Sequence, residues 1–317
     1  MTVEAIVVTH NSRTHVAHCL EPLIEAGVAT WVVDNASSDD TVRVVAERFP
    51  EVHLLANHDN RGFAQGVNQA LEQTSADVVL LVNPDCAVSP EAVAGLAAHL
   101  AENPEVGVVA PRLRDSAGRI AVSTHPFENL ASIVGSRFGA AVIPPALRGF
   151  VVRGCRRSSY EACRSGDRPV PVDWVSGACL AVRGSLLRRL GGLDTAYFMY
   201  YEDEELCLQV WRSGATVVYL PTVEAVHSGG ASTRDPAQAW PHLYRGLLRF
   251  QARHRPRTYP LVRAAIVVRA VLGVAWGAAR DSVALVQRKP ARRTRAWSRI
   301  FRVALLESKA ISAEGRS

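Results

Sequence analysis

Hydrophobic and polar positions follow two rhythms along the N-terminal part of the chain. Short apolar runs rich in β-branched residues, at 5–8, 31–33, 52–55, 78–82 and 106–109, are separated by amphipathic stretches of about ten residues. Runs this short and this apolar read as buried strands. Their alternation with helical segments predicts an α/β fold, a mostly parallel, doubly wound sheet with helices on both faces. One helix start is well marked, with Ser89 as N-cap, Pro90 at the first helical position and Glu91 in the first turn, ahead of 92–100. It follows Asn83-Pro84-Asp85 directly. That motif therefore falls in a loop at a strand's carboxyl end, where open α/β sheets bind ligands.

From about 112 to 168 the periodicity fails and Gly, Pro, Arg and Ser accumulate, which predicts an insertion or long loop. Regular structure resumes at 173–183, followed by a short helix. Next comes an acidic cluster, Tyr200-Tyr201-Glu202-Asp203-Glu204-Glu205-Leu206, which over 202–211 fits the start of an amphipathic helix. A further apolar run at 216–220 precedes a lone histidine, His227. Together with Asp85, this cluster and His227 supply carboxylates and an imidazole suited to one base and one divalent cation. An enzyme acting on an anionic, metal-bound substrate is the expectation.

At 317 residues and 48% hydrophobic content, the chain can bury a full core without disulfides. Its six cysteines (Cys19, Cys86, Cys155, Cys163, Cys179, Cys207) form no C-x-x-C pair, and residues 1–4 show no basic, apolar signal. Free thiols in a reducing cytoplasm are expected. A net charge of +6 conceals an asymmetry, since residues 242–317 hold 17 Lys+Arg against 3 Asp+Glu. The division expected is a body over 1–241 and a basic helical tail over 242–317.

Within that tail, 261–286 is apolar, but Arg263, Arg269, Arg280 and Asp281 leave no run of the roughly 18 uncharged residues that marks a spanning helix. A basic amphipathic segment on the anionic inner face of a membrane fits better. The cluster Arg288, Lys289, Arg292, Arg293, Arg295, Arg299 and Arg302 would add attraction. A helical pair packed on the body, or a solvated extension, are the alternatives. Little aromatic interleaving and no recognised module argue against nucleic acid as a partner. The first strand is followed by Thr9-His10-Asn11-Ser12, neither the G-x-G-x-x-G of a dinucleotide dehydrogenase nor the Gly-rich basic loop of a nucleotidyltransferase.

Six strings in order carry a family resemblance: Val7-Val8-Thr9-His10-Asn11-Ser12, Val32-Val33-Asp34-Asn35-Ala36-Ser37, Asn60-Arg61-Gly62-Phe63 through Asn68, Leu81-Val82-Asn83-Pro84-Asp85, Phe198 through Asp203, and Val226-His227-Ser228-Gly229 through Thr233. Over about residues 3–255 the chain resembles the family 2 inverting glycosyltransferases, most of all their rhamnosyltransferase-like branch. The resemblance implies a GT-A fold, with a nucleotide-sugar half at about 1–110 and an acceptor half at about 170–241. It implies that Thr9 and Asn11 contact base and ribose, that the Asp34 carboxylate accepts hydrogen bonds there, and that Asn60, Gly62 and Asn68 line a phosphate and ribose loop.

In the same resemblance Asn83-Pro84-Asp85 stands in the place of an Asp-x-Asp motif, with Asn in the first position. Asp85 is then the ligand of Mg²⁺ or Mn²⁺, with Asn83 a neutral partner, and His227 is a second ligand. One carboxylate suffices where a diphosphate and water fill the shell. Asp203 aligns with the family's base, and Glu202 orients a sugar. Glu204 and Glu205 need only suit a helix N-terminus. Gly177 and Ala178 leave room for an acceptor ring, on which Trp174 either stacks or, alternatively, packs in the core. The implied reaction moves a sugar from a nucleotide-diphosphate donor such as dTDP-rhamnose to a hydroxyl of a polyprenyl-linked or polysaccharide acceptor in envelope glycan synthesis. A UDP- or GDP-sugar donor, or a non-catalytic binding subunit, are the competing readings.

Overall fold

The computed structural model describes residues 1–138, 166–229, 236–286 and 292–305. Gly230 to Thr233 of the last motif, Arg288 and Lys289 of the basic cluster, and 139–165 of the expected insertion lie outside the described residues. The five apolar runs become the strands β1 (Val3–Thr9), β2 (Ala29–Asn35), β3 (His53–Asn57), β4 (Val78–Val82) and, after a short β5 (Cys86–Val88), β6 (Val106–Arg114). Interleaved with them are α1 (Val16–Glu25), α2 (Thr41–Arg48), α3 (Phe63–Leu71) and α4 (Pro90–Glu102).

Successive side chains of a strand point to opposite faces, so an unbroken apolar run supplies two cores at once. In β4, Val78, Leu80 and Val82 join a core with Leu20 and Leu23 of α1 and Leu96 and Leu100 of α4. Val79 and Leu81 join a second core with Val67 and Ala70 of α3. The expected α/β sheet, covered on both faces, follows from this division.

β1 to β4 pair in parallel in the order β3-β2-β1-β4, so the loops that follow them leave at one edge. After β7 (Thr124–His125), α5 (Leu130–Phe138), β8 (Val170–Pro171) and β9 (Trp174–Val175), strand β10 (Cys179–Arg183) enters antiparallel between β4 and β6. α6 (Gly184–Arg189) and α7 (Glu202–Arg212) lead to β11 (Thr216–His227), which runs parallel to β6 and antiparallel to β5. β7 and β9 form a separate two-stranded sheet.

The long loop expected from Arg112 is corrected in part. β6 stays in the sheet to Arg114 because β11, after a register shift between Leu220 and Glu224, resumes pairing with it. Pro221, which has no N–H to donate, lies within that shift.

The chain packs as two compact units. Among the described residues the first comprises 1–127, 166–198 and 202–229, and the second 128–138, 199–201, 236–286 and 292–305. The second is helical, with α8 (Pro236–His254), α9 (Tyr259–Val286) and α10 (Arg292–Leu305) packed on one another and α5 against α9. Gly273 permits the close approach of α9 and α10, since a Cβ there would lie 2.2 Å from the Trp297 ring.

The marked helix start is realised: the Ser89 side chain accepts the Ala92 N–H at 3.2 Å. Ser89→Ala removes that partner and should lower the unfolding free energy by about 1 kcal/mol, read as a lower midpoint in urea with an unchanged slope.

Candidate active site

Parallel pairing sets Thr9 of β1 beside Asp34 of β2, and Val7 beside Val82 of β4. Thr9 donates its hydroxyl to Asp34 Oδ1 at 2.8 Å, and Ser37 donates its backbone N–H to Oδ2 at 2.8 Å and its hydroxyl to Oδ1 at 2.5 Å. Thr9 and Asp34 are buried. Thr9, expected beside base or ribose, gives its hydroxyl to Asp34 and is wholly buried. Asp34 here fastens its own loop. Asn11 is the exposed member. It sits at φ +53, a left-handed conformation that asparagine tolerates, and its Oδ1 accepts the Ser38 N–H at 2.8 Å.

The Asn60 to Asn68 segment is also used for bracing. Asn60 Oδ1 accepts the Gly62 N–H at 3.0 Å. Gly62 lies at φ +85, and a Cβ there would come 2.4 Å from the Phe198 carbonyl oxygen, which itself accepts the Phe63 N–H at 2.9 Å. The glycine therefore makes room for the segment leading to α7. Asn68 is braced in the same way. Its Nδ2 donates to the Leu193 carbonyl and its Oδ1 accepts the Leu193 N–H, both at 2.8 Å. Asn35, which the motif reading passed over, donates to the Gly62 carbonyl at 2.9 Å and accepts from Asn57 at 3.0 Å. A polar residue at the end of a buried strand was the only sequence signal for it.

Asp85 and His227, far apart in the chain, meet because β5 and β11 pair with His227 opposite Cys86. The Ser228 N–H donates to the Asp85 carbonyl at 2.9 Å, and His227 Nε2 lies 3.1 Å from Asp85 Oδ1. Burial alone would raise the Asp85 pKa, but the His227 hydrogen bond and charge outweigh it and hold the carboxyl below the usual range. One carboxylate and one imidazole nitrogen fit a divalent cation that takes its other ligands from phosphate and water. Among the described residues no cluster of three or more potential ligands exists, so the protein itself offers this pair. Asn83 stands beside it, its N–H donating to the Ala178 carbonyl at 2.9 Å.

The second chemical station is the start of α7, where Glu202, Asp203, Glu204 and Glu205 crowd the first turn and the helix dipole favours them. Asp203 Oδ2 accepts the Gly177 N–H at 3.0 Å and Oδ1 the Glu204 N–H at 2.9 Å. Burial raises the Asp203 pKa against the pull of those hydrogen bonds, and Glu202 is pushed further up by burial and by the neighbouring Asp203 charge. The two carboxyls titrate as a pair. Glu202 is buried and its Oε2 has no partner among the described residues. Glu205 is occupied, accepting from Tyr197 at 3.2 Å and Gln209 at 2.7 Å.

Ala178 is buried, and the neighbouring Gly177 contributes its N–H to Asp203. Trp174 stacks on His125 with ring centroids 4.4 Å apart and donates its indole N–H to the Pro126 carbonyl at 3.1 Å. One of its faces is thus taken by protein. The site as assembled holds a carboxylate–imidazole pair, an elevated carboxylate pair, and the Gly177-Ala178 backbone, which is bonded to Asp203 and, through Asn83, to the loop bearing Asp85.

Residues 4–151 match the model of the family described as glycosyl transferase family 2. The chain is 32% identical over 247 residues to the N-acetylglucosaminyl-diphospho-decaprenol L-rhamnosyltransferase of Mycobacterium tuberculosis, covering 73% of this chain and 78% of that protein. In fold it is similar to a mannosyltransferase of Pyrobaculum calidifontis in complex with GDP-Man and Mn²⁺, with a TM-score of 0.52, 20% identity, and coverage of 97% and 86%. It is also similar to GalNAc-T7 with UDP, GalNAc and Mn²⁺, with a TM-score of 0.56 and 12% identity, covering 79% of this chain and 47% of that one.

If Asn68 braces rather than binds, Asn68→Ala loses two hydrogen bonds to Leu193 and should cost about 1–3 kcal/mol of stability. Calorimetric titration of the folded variant should return the wild-type nucleotide affinity.

Proposed function

The chain belongs to the family 2 glycosyltransferases, and on that footing we propose that it transfers L-rhamnose from dTDP-rhamnose to a hydroxyl of a polyprenyl-diphosphate-linked glycan, with inversion at the anomeric carbon. Support for the sugar and the acceptor comes from the Mycobacterium tuberculosis relative, whose name states both the rhamnosyl group and the decaprenol-linked acceptor. Support for the chemistry comes from one observation above the rest. Asp203 is a carboxylate with a raised pKa, held in position by the N–H groups of Gly177 and Glu204.

An acceptor hydroxyl must lose its proton as it attacks, and a fixed carboxylate within hydrogen-bond reach takes it. Raising the pKa makes Asp203 a stronger base than a solvated aspartate. The two backbone donors fix its direction without neutralising it. Glu202, with an oxygen that has no partner among the described residues, is the group to orient a sugar hydroxyl beside the base. Asp85 and His227 would hold Mg²⁺ or Mn²⁺ against the donor diphosphate, whose developing charge the bound cation offsets. Asn11, Asn60 and Asn83 remain near the nucleotide, with Thr9, Asp34, Gly62 and Asn68 shaping the loops that carry them. In this reading the first unit is the catalytic domain, and the protein works peripherally at the cytoplasmic membrane surface that carries its acceptor.

The division of roles is testable. Asp203→Asn should lower transfer by about 10²–10⁴-fold with nucleotide affinity unchanged. Asp85→Ala should weaken Mg²⁺-dependent nucleotide binding by at least about tenfold. Equal loss of binding in both would refute the assignment, and titration with dTDP, UDP and GDP reads the donor base directly.

A pH profile supplies an independent check. Transfer needs ionised Asp203, so activity is present above its pKa and lost as the pH falls through it. Because that pKa is raised, the acid limb of kcat/KM should lie above the value of about 4 for an ordinary aspartate. A limb at or below that value would remove Asp203 as the base.

A further inference from the structure

Helix α9 carries an apolar face that the rest of the helical unit does not cover. Leu261, Val268, Val271, Leu272 and Trp276 are 59%, 53%, 51%, 60% and 64% exposed. At 3.6 residues per turn they fall within one arc of the helix, along about 22 Å of its length. Single exposed apolar residues are ordinary, but a continuous stripe marks a binding surface.

Composition alone would let the segment Tyr259–Ala278 cross a membrane. Its side-chain contacts argue otherwise. Val262, Ile266 and Ala270 are fully buried within the unit. Arg263 donates to the carbonyls of Ala304 and Leu305 at 2.9 and 3.3 Å. Arg269 donates to the Tyr244 hydroxyl at 3.0 Å and lies 5.2 Å from the centroid of the Trp297 ring. The arginines that interrupt the apolar stretch thus bind α9 to α8 and α10, leaving the other side purely apolar. A helix fastened along one side and exposed to solvent along the other is suited to lie in an interface rather than to span it.

Charge selects the occupant. Among its described residues the helical unit has only Glu128 and Asp281 as acids, against fourteen arginines. Arg253 and Arg257, next to α9 in the chain, are exposed, as are Arg295, Arg299 and Arg302 of α10. A second copy of the chain related by a two-fold axis would bring this single-sign field against itself. An anionic lipid surface complements it and accepts the apolar stripe, with Trp276 suited to the headgroup level.

We infer that α9 lies in the plane of an anionic lipid surface, inserting Leu261, Val268, Val271, Leu272 and Trp276 beneath the headgroups. This rests on the reading of a lipid-linked acceptor, and it names the surface by which the protein reaches that lipid.

The full-length protein is tested by flotation with phosphatidylglycerol-containing vesicles and with pure phosphatidylcholine vesicles. Wild type should float with the anionic vesicles, and Leu272→Gln/Trp276→Gln should lower the partition coefficient by about tenfold or more. Leu261→Gln/Val268→Gln is the second variant; it alters only exposed aliphatic side chains, so its thermal midpoint should match wild type while its partition coefficient falls likewise. Nucleotide affinity and transfer to a short-chain, water-soluble acceptor, measured on the same preparations, should be unchanged. Wild type that stays out of the lipid fraction, or variants that bind as wild type does, would overturn the inference. So would a wild-type dimer in sedimentation that the variants convert to monomer without any lipid binding. Failure of nucleotide binding or soluble transfer in wild type would instead count against the proposed function, whatever the vesicles show.

Discussion

The hydrogen bond from the Asn83 N–H to the Ala178 carbonyl, and the backbone on either side of it, is the constraint on which the site depends. Three consecutive residues make the connection. Gly177 gives its N–H to Asp203, Ala178 takes the N–H of Asn83, and Cys179 begins β10 opposite Val82 of β4. A buried strand must satisfy its backbone groups, and β10 does so by running antiparallel between β4 and β6. The same pairing that completes the sheet therefore sets the carboxylate of α7 and the loop bearing Asp85 at fixed positions relative to one backbone segment. A second pairing, β5 with β11, adds the imidazole.

Around this centre most polar residues are occupied with one another. Asp34 is held by Thr9 and Ser37, Asn68 by both backbone groups of Leu193, and Asn35 by Gly62 and Asn57. Each would be expensive to bury unsatisfied, and each instead fastens a loop to a strand end or to the segment before α7. Glu202 is the exception among the buried acids, with an oxygen that finds no partner among the described residues. Rigid loops and one unsatisfied carboxylate are what a site needs if its binding energy is to go into orientation rather than into ordering the protein.

The helical unit shows the same logic applied to charge. Arg263 and Arg269 sit in the most apolar stretch of the chain, yet both are consumed inside the unit by carbonyl, hydroxyl and aromatic partners. A guanidinium with its donors satisfied can be largely withdrawn from water, whereas a free one cannot. Counting charges along the segment misjudges its exposed face for that reason.

Much of the architecture was legible from the residues alone. The five apolar runs, the Ser89-Pro90-Glu91 helix start and the acidic opening of α7 are local signals, and each appears where periodicity and capping chemistry put it. The pairing of Asp85 with His227 was foreseeable only through family resemblance, since no spacing rule spans the distance between them. Thr9, Gly62 and Asn68 were read as ligand contacts because their residue types suit a nucleotide. Those types suit a backbone clamp or a close approach equally well, and which use is made depends on Asp34, Phe198 and Leu193 arriving beside them. The residues by themselves determined which segments become strands and helices, because that choice depends on side-chain period and backbone propensity within a few neighbours. Only the tertiary structure decided which polar groups remain available for chemistry, because a hydrogen-bonding group is spent or left free by partners that the fold, not the chain order, brings within reach.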